Sequence, residues 1–413
     1  MKILQFCYKP PLPATDGGTI DMYSISEGLA NNGCDVKVLT IYSDKHPFDK
    51  DLLPKNYLEK TRIEGVYVDL KPRALDALWC VFAAQSYVVK RFVSDEMKQL
   101  LVKTLKAESF DVVQIESIML APYIPLIRKY SKAKITFHCP NVEHLIWQRM
   151  AKGKQINVFK KWYIKNTAMN LKAYELGHIN DFDAVFPVTD VDAKYFKDNG
   201  CKKLCVGVPI GFDNVEKLPD VVEQEHSIFH IGSMNWAPNE QGIKWFLNEV
   251  WPLVNKELPQ IKAYFAGRNM SPWFKNNSWD NVDMIGEVDD SILFMSSKKI
   301  MVVPLLSGSG IRIKILEAMS IGKAVVATSI AAEGIMYEDG KNILIANTPQ
   351  EFVEAIRKLD SDIEYCKQVG DNAYKLIRER YDTNYIGAEL LGYYRQILEK
   401  DKVSNEEDPQ EED

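Results

Sequence analysis

No stretch of this chain is long and apolar enough to cross a bilayer. The longest apolar patch, Ala77 to Ala84, falls far short of the roughly 20 residues that a spanning helix needs. A charged-then-apolar leader is also missing, because Met1 to Tyr8 reads directly as a buried strand. The expected location is therefore the cytoplasm. Cysteine is sparse: there are seven, odd in number and without a CxxC pair, so a disulfide framework is excluded. Cys201 and Cys205 have no histidine partner at zinc spacing and read as packing residues in a reducing compartment. There is no basic excess either. With 51 Lys and Arg against 57 Asp and Glu, the net charge of −6 argues against a general nucleic-acid binder.

What remains is an ordinary globular composition, 46% apolar and 26% charged, over 413 residues, too long for one hydrophobic core. Apolar runs alternate with helical periods, the mark of parallel sheets with crossover helices. In the first half the expected strands are Lys2–Tyr8, Asp35–Tyr42, Phe110–Ile115, Lys134–Phe137, Ala184–Val188 and Leu204–Val208. In the second half they are Ser227–Ile231, Lys262–Ala266, Val282–Ile285, Ile300–Leu305, Ala324–Thr328 and Asn342–Ile345. The predicted fold class is α/β, with two Rossmann-like parallel-sheet domains facing a cleft. Residues 1–210 form the first, 211–225 a charged linker and 226–381 the second. A final helix over 382–400 is amphipathic, and an acidic tail over 401–413 is expected to be disordered. Ala77 to Ala84, running into Ser86–Phe92, is expected to form a helix packed on the core, with a surface-lying helix as the other reading.

The most informative segment is Met301 to Ala327, where an apolar strand runs into Gly308-Ser309-Gly310 and out into a helix. Glycines allow close backbone approach, and a helix start favours phosphate oxygens through its N–H groups and dipole. Arg312 and Lys314 add cations, and Glu317, at i+3 from Lys314, can accept hydrogen bonds from sugar hydroxyls. The pattern suits a nucleotide diphosphate carrying a sugar. Its bland alternative is a tight turn with two solvated basic residues.

The flanking residues carry a resemblance. Glu317-Ala318-Met319-Ser320, Gly322-Lys323-Ala324-Val325-Val326-Ala327 and Glu333-Gly334-Ile335 resemble the donor-binding signature of glycosyltransferase family 4, enzymes of GT-B fold that use nucleotide sugars. Gly17-Gly18, closing the proline-rich loop Lys9 to Asp16, looks like the glycine pair opening that family's acceptor domain and meeting the donor; Pro209-Ile210-Gly211-Phe212-Asp213 resembles its interdomain element. The resemblance implies a donor set of Gly17, Gly18, Ser309, Gly310, Ile311, Arg312, Lys314 and Glu317, with Gly267 and Arg268 on the nucleotide side. It also implies an interdomain active site, a last helix crossing back to the first domain, and retention of anomeric configuration.

The chain departs from that pattern in two places. Ser309 stands where the first of two glutamates is usual, and Gly232 to Asn239 replaces the common Arg and Lys after the first strand of the donor domain. Phosphate contacts are then expected to fall to Gly310 and Ile311 N–H groups with Arg312 and Lys314. No cofactor is expected, and no metal. Asp190-Val191-Asp192 superficially resembles a metal-binding DxD, but Thr189 with Asp192 reads better as a helix cap and its first-turn acid.

In the first half, His138 at a strand end is a catalytic candidate, expected to touch the reacting sugar or β-phosphate as a neutral imidazole; otherwise it caps the next helix. Glu116 ends another strand and could orient an acceptor hydroxyl, or cap a helix. From His144 to Tyr174 there is no acidic residue, while Arg149, Lys152, Lys154, Lys160, Lys161, Lys165 and Lys172 stand among Trp147, Phe159, Trp162 and Tyr163. This tract suits an anionic membrane surface or a lipid diphosphate acceptor; two helices with solvated basic faces are the equal alternative. The sequence thus points to transfer of a sugar from a nucleoside diphosphate to a sugar or lipid-linked acceptor in polysaccharide or glycan biosynthesis. A GT-B nucleotide-sugar epimerase and a catalytically inactive nucleotide-sugar-binding subunit are the alternatives.

Overall fold

The computed structural model describes residues 1–151, 157–213, 219–308 and 310–406. Ser309, Lys152, Lys154, residues 214–218 of the expected linker and the tail from 407 lie outside the described residues. The chain divides into two units, Met1–Gly211 with Thr383–Asp413, and Phe212–Asp382.

The first unit is built on a seven-stranded, all-parallel sheet. Its strands are β1 (Lys2–Cys7), β2 (Asp35–Tyr42), β3 (Glu64–Tyr67), β4 (Val112–Ile115), β5 (Lys134–Cys139), β6 (Ala184–Pro187) and β7 (Leu204–Cys205), in the order β3-β2-β1-β4-β5-β6-β7. They are apolar on both faces because helices cover both, which is why they read as continuous runs rather than alternations. One face packs Phe6, Ile115, Phe137 and Phe182 with their neighbours. On the other, Ile3, Val36 and Val112 meet two helices, α1 (Gly17–Asn31) and, at the chain's end, Thr383–Glu406. Helix α1 starts at the glycine pair itself, because Asp16 and Thr19 form a reciprocal capping box.

Helix α2 (Ala74–Phe82) buries only Ala77 and Cys80, so the longest apolar patch is a surface helix rather than one sunk in the core. Helices α3 (Glu143–Ala151) and α4 (Val158–His178) follow β5. Helix α5 (Asp190–Asp198) begins with the Thr189 hydroxyl accepting from the Asp192 N–H at 3.0 Å, so this Asp pair belongs to a helix start.

The second unit repeats the plan with β8 (Gln224–Ile231), β9 (Lys262–Ala266), β10 (Val282–Gly286), β11 (Lys298–Val303), β12 (Ala324–Ala327) and β13 (Leu344–Ile345), all parallel, in the order β10-β9-β8-β11-β12-β13. Strand β8 opens inside the stretch expected to be linker. Helix α6 (Ala237–Trp245) leaves β8, and α7 (Ile313–Ser320) joins β11 to β12. The closing helix, α8 (Thr383–Glu406), runs beyond Lys400 into the segment expected to be disordered. It belongs to the first unit. A Cβ on Gly28 would lie 2.4 Å from the Thr383 carbonyl oxygen and 3.2 Å from the Gly387 Cα, so two glycines let α1 and α8 touch backbone to backbone. Ile386, Leu390 and Tyr394 complete the core there.

Candidate functional site

In each sheet the strand order reverses once, between β1 and β4 and between β8 and β11. Loops leaving strands on opposite sides of such a switch diverge and open a crevice at the strand C-termini.

In the second unit the loops after β8 and β11 meet at that point. Gly308 and Gly310 both have positive φ, 130° and 78°, a conformation open to glycine and costly for other residues. A Cβ on Gly308 would lie 2.4 Å from Arg312 Nη2, so this glycine makes room for a guanidinium. Arg312 is buried. It sits over the Trp236 ring at 5.1 Å and donates from Nη1 to the Gly310 carbonyl at 3.0 Å. The bland alternative of two solvated basic residues therefore does not hold for Arg312, whose stacking and carbonyl bond compensate its desolvation. Lys314 is part exposed and pairs with Glu317 Oε2 at 2.5 Å. Helix α7 begins at Arg312 without a side-chain cap, which leaves its positive dipole end for an anion. Gly310, Ile311, Arg312, Lys314 and Glu317 thus gather on one strand-to-helix connection.

The supporting loops are drawn tight. Gly267, with φ 146°, packs so closely that a Cβ there would stand 1.7 Å from the Gly232 carbonyl oxygen. The Met234 N–H donates to the Arg268 carbonyl at 2.9 Å, joining the β8 and β9 loops. Arg268 itself is exposed near Glu287. A Cβ on Gly242 would lie 2.4 Å from the Pro304 carbonyl oxygen, seating α6 directly against the β11 loop. His230, near the end of β8, donates from Nδ1 to the Val302 carbonyl at 2.9 Å, since that oxygen can only accept. Burial pushes its pKa down to about 4, so it is neutral.

In the first unit, His138 lies within β5 rather than at an open strand end, and it is wholly buried. Its Nδ1 is 2.9 Å from Glu116 Oε2 and 3.6 Å from Asp21 Oδ2. Burial opposes its charge, but the Asp21 and Glu116 carboxylates outweigh that and raise its pKa to about 9. In place of the expected neutral imidazole, two carboxylates near Nδ1 favour the imidazolium form. Glu116 also accepts from Gln5 Nε2 at 2.7 Å and Gln114 Nε2 at 2.6 Å, and Gln114 accepts from Tyr394 of α8. Neither His138 nor Glu116 caps a helix. Asp21, which sequence reasoning did not single out, has its carboxyl pushed up to about 7 by burial and by Glu116, against the pull of His138.

Gly17 and Gly18 open α1, one turn before Asp21. A Cβ on Gly18 would lie 2.7 Å from the Tyr8 hydroxyl and 3.3 Å from Lys9 Nζ. Lys9 pairs with Asp16 at 2.6 Å. Glu143 opens α3, but the helix is capped by Glu175, which accepts from the Glu143 and His144 N–H groups at 3.1 and 3.2 Å. Burial and Glu175 raise the Glu143 carboxyl to about 7, with Lys9 opposing. Trp236 and Glu175 were also missed. Their signal was faint, since a tryptophan after a strand and a glutamate late in a helix are common in ordinary packing.

Two parallel-sheet Rossmann-like units of seven and six strands define the GT-B architecture. Comparison with known proteins agrees. Residues 225–362 match the family model described as "Glycosyl transferases group 1", a match that lies within the second unit. An uncharacterised 44.6 kDa protein of the cps region of Klebsiella pneumoniae is 25% identical over 94% of this chain and 99% of its own length. An uncharacterised glycosyltransferase of Methanocaldococcus jannaschii is 29% identical over 45% of this chain and 48% of its own. Among solved structures, sucrose-phosphate synthase from Thermosynechococcus elongatus superposes with a TM-score of 0.67 at 13% identity, covering 97% of this chain and all (100%) of that one. HepE from Anabaena, solved with UDP, gives 0.62 at 15% identity over 96% and 100%.

Proposed function

We propose that the protein is a glycosyltransferase of the family 4 type, moving a sugar from a nucleoside-diphosphate sugar to a sugar or lipid-linked acceptor in surface polysaccharide biosynthesis. The observation that carries this reading is the β11–α7 connection, where positive-φ glycines, a buried arginine and a Lys–Glu pair surround an uncapped helix start. As the bond to the anomeric carbon breaks, negative charge grows on the diphosphate. The Gly310 and Ile311 N–H groups, Arg312 and Lys314 would stabilise it there without a metal, as pre-oriented donors need no reorganisation during reaction. Glu317 would accept from donor hydroxyls and Ser309 would donate to them, with Gly267 and Arg268 on the nucleotide side. Gly17 and Gly18 would allow close backbone approach of a sugar at the start of α1, and Glu116 and His138 would position the acceptor side of the first unit through their buried network. Retention and cytoplasmic location complete the proposal.

UDP-sugars are the first donors to try, since HepE has been solved with UDP and with UDP-glucose, and the Klebsiella relative's cps region suggests a capsular acceptor. A thermal-shift panel of nucleotides and nucleotide sugars identifies the donor, because a ligand bound only by the folded state raises its stability. Release of nucleoside diphosphate is then followed with and without acceptor. Transfer requires acceptor-dependent release. Release of free nucleotide without any acceptor, with an isomerised sugar, would replace this reading by epimerisation.

A further inference from the structure

Leu75, Leu78, Trp79 and Phe82 recur at i, i+3, i+4 and i+7 along α2 and form one stripe. That stripe faces water. Leu75 is 84% exposed, Trp79 64% and Phe82 72%, while the helix packs through Ala77 and Cys80. Helix α4 continues the surface. The Phe82 and Trp162 ring centroids are 6.4 Å apart, and Asn170 Nδ2 donates to the Gln85 carbonyl at 3.2 Å, fixing the segment after α2 to α4. Phe159, one turn before Trp162, is 84% exposed. Contiguous apolar area of this kind on a soluble chain marks an interaction surface.

Its charge points to the partner. Lys160, Lys161 and Lys165 are exposed on the same stretch of α4 and form no ion pair among the described residues. No acidic residue occurs between His144 and Tyr174. Asp76 lies in the first turn of α2, where the helix dipole favours it. Cores of protein–protein interfaces avoid charge of one sign, whereas aromatic side chains flanked by lysines suit the boundary between lipid headgroups and acyl chains. We propose that the α2–α4 face docks on an anionic bilayer, with Trp79, Phe82, Phe159 and Trp162 entering the interface and the three lysines meeting headgroup phosphates. This goes beyond glycosyl transfer and does not depend on it.

The test is co-sedimentation of the full chain with vesicles of phosphatidylcholine alone and with about one-third phosphatidylglycerol, at low and moderate salt. Sedimentation is expected only with the anionic vesicles, weakening as salt rises. The Trp79→Ser/Phe82→Ser variant is expected to bind about tenfold more weakly at both salts. Lys160→Glu/Lys161→Glu/Lys165→Glu is expected to bind at least about a hundredfold more weakly, each cation near such a surface counting for close to a factor of five. Unchanged thermal unfolding of both variants shows that the exposed positions were altered without harm to the fold, and turnover of a soluble acceptor reports on glycosyl transfer separately. Parent protein that stays in the supernatant at low salt overturns the proposal, as does an aromatic variant that binds like the parent. A dimer by light scattering that the aromatic variant converts to monomer would assign the face to a second copy and likewise overturn it.

Discussion

His138 Nδ1 stands 2.9 Å from Glu116 Oε2, with both side chains wholly buried, and Asp21 Oδ2 lies 3.6 Å from the same nitrogen. Cations and anions withdrawn together from water are stable only as a set, so removing one partner costs more than the pair contributes.

Replacing Glu116 by Gln is therefore expected to destabilise the first unit by about 3–5 kcal/mol and to lower the His138 pKa from about 9. The sign in the parent follows from the raised pKa. The stabilisation is complete below the ordinary histidine value near 6.5 and is lost as pH rises through about 9. Imidazole NMR titration with denaturant unfolding between those values measures both; a His138 that titrates normally in the parent would contradict the assignment.

His230 should behave oppositely. Its lowered pKa makes the stabilisation complete above about 6.5 and lost as pH falls toward about 4. His230→Asn, which preserves an N–H donor for Val302, is expected to flatten this acid dependence in the second unit while leaving neutral-pH stability within about 1 kcal/mol. Acid-limb unfolding curves of the two proteins decide the matter.

Glu317→Ala removes a carboxylate acceptor and unpairs Lys314. Donor affinity by calorimetry is expected to fall by about 1–3 kcal/mol. Equal affinity in a folded variant would move the hydroxyl contact elsewhere.

Arg312→Lys keeps the charge but loses the flat surface over Trp236 and the bond to Gly310. Turnover is expected to drop about tenfold or more, since the two cations are not interchangeable at a stacked site. Parent-level turnover would show that charge alone suffices.

Gly267→Ala tests the packing of the β8 and β9 loops. With φ at 146° and the Gly232 oxygen 1.7 Å from the added carbon, the loop must shift, and a loss of roughly 2–4 kcal/mol is expected by thermal unfolding.

The parallel α/β plan could be read from the chain because strands such as Asp35–Tyr42 and Lys262–Ala266 are unbroken apolar-rich runs between turn signals, and both occur as expected. Glu64–Tyr67 was missed because four residues, none of them buried, carry neither a run nor an alternation. The segment around Leu75–Phe82 was misjudged because periodicity fixes a helix's apolar face but not what covers it. On the β11–α7 connection residue type and spacing were enough to propose a phosphate site. They could not reveal that Arg312 lies against Trp236, since that contact joins residues brought together only by the β8/β11 pairing. Asp21 escaped for the same reason: it lies one turn past the Gly17-Gly18 pair on α1 and meets His138 of β5 only in the folded chain.

The chain enters the second unit at Phe212 and leaves it at Asp382, and the two residues pair side by side, the Phe212 N–H donating to the Tyr381 carbonyl at 2.6 Å. The second unit is thus a continuous segment, whereas the first waits for α8 to bring Ile386, Leu390 and Tyr394 against β1 and α1. Order of synthesis and order of folding consequently diverge. On the ribosome the second unit can finish first, while the first keeps the part of its core that α8 completes uncovered until that helix has emerged, a period in which the exposed apolar surface would be a target for chaperones and proteases.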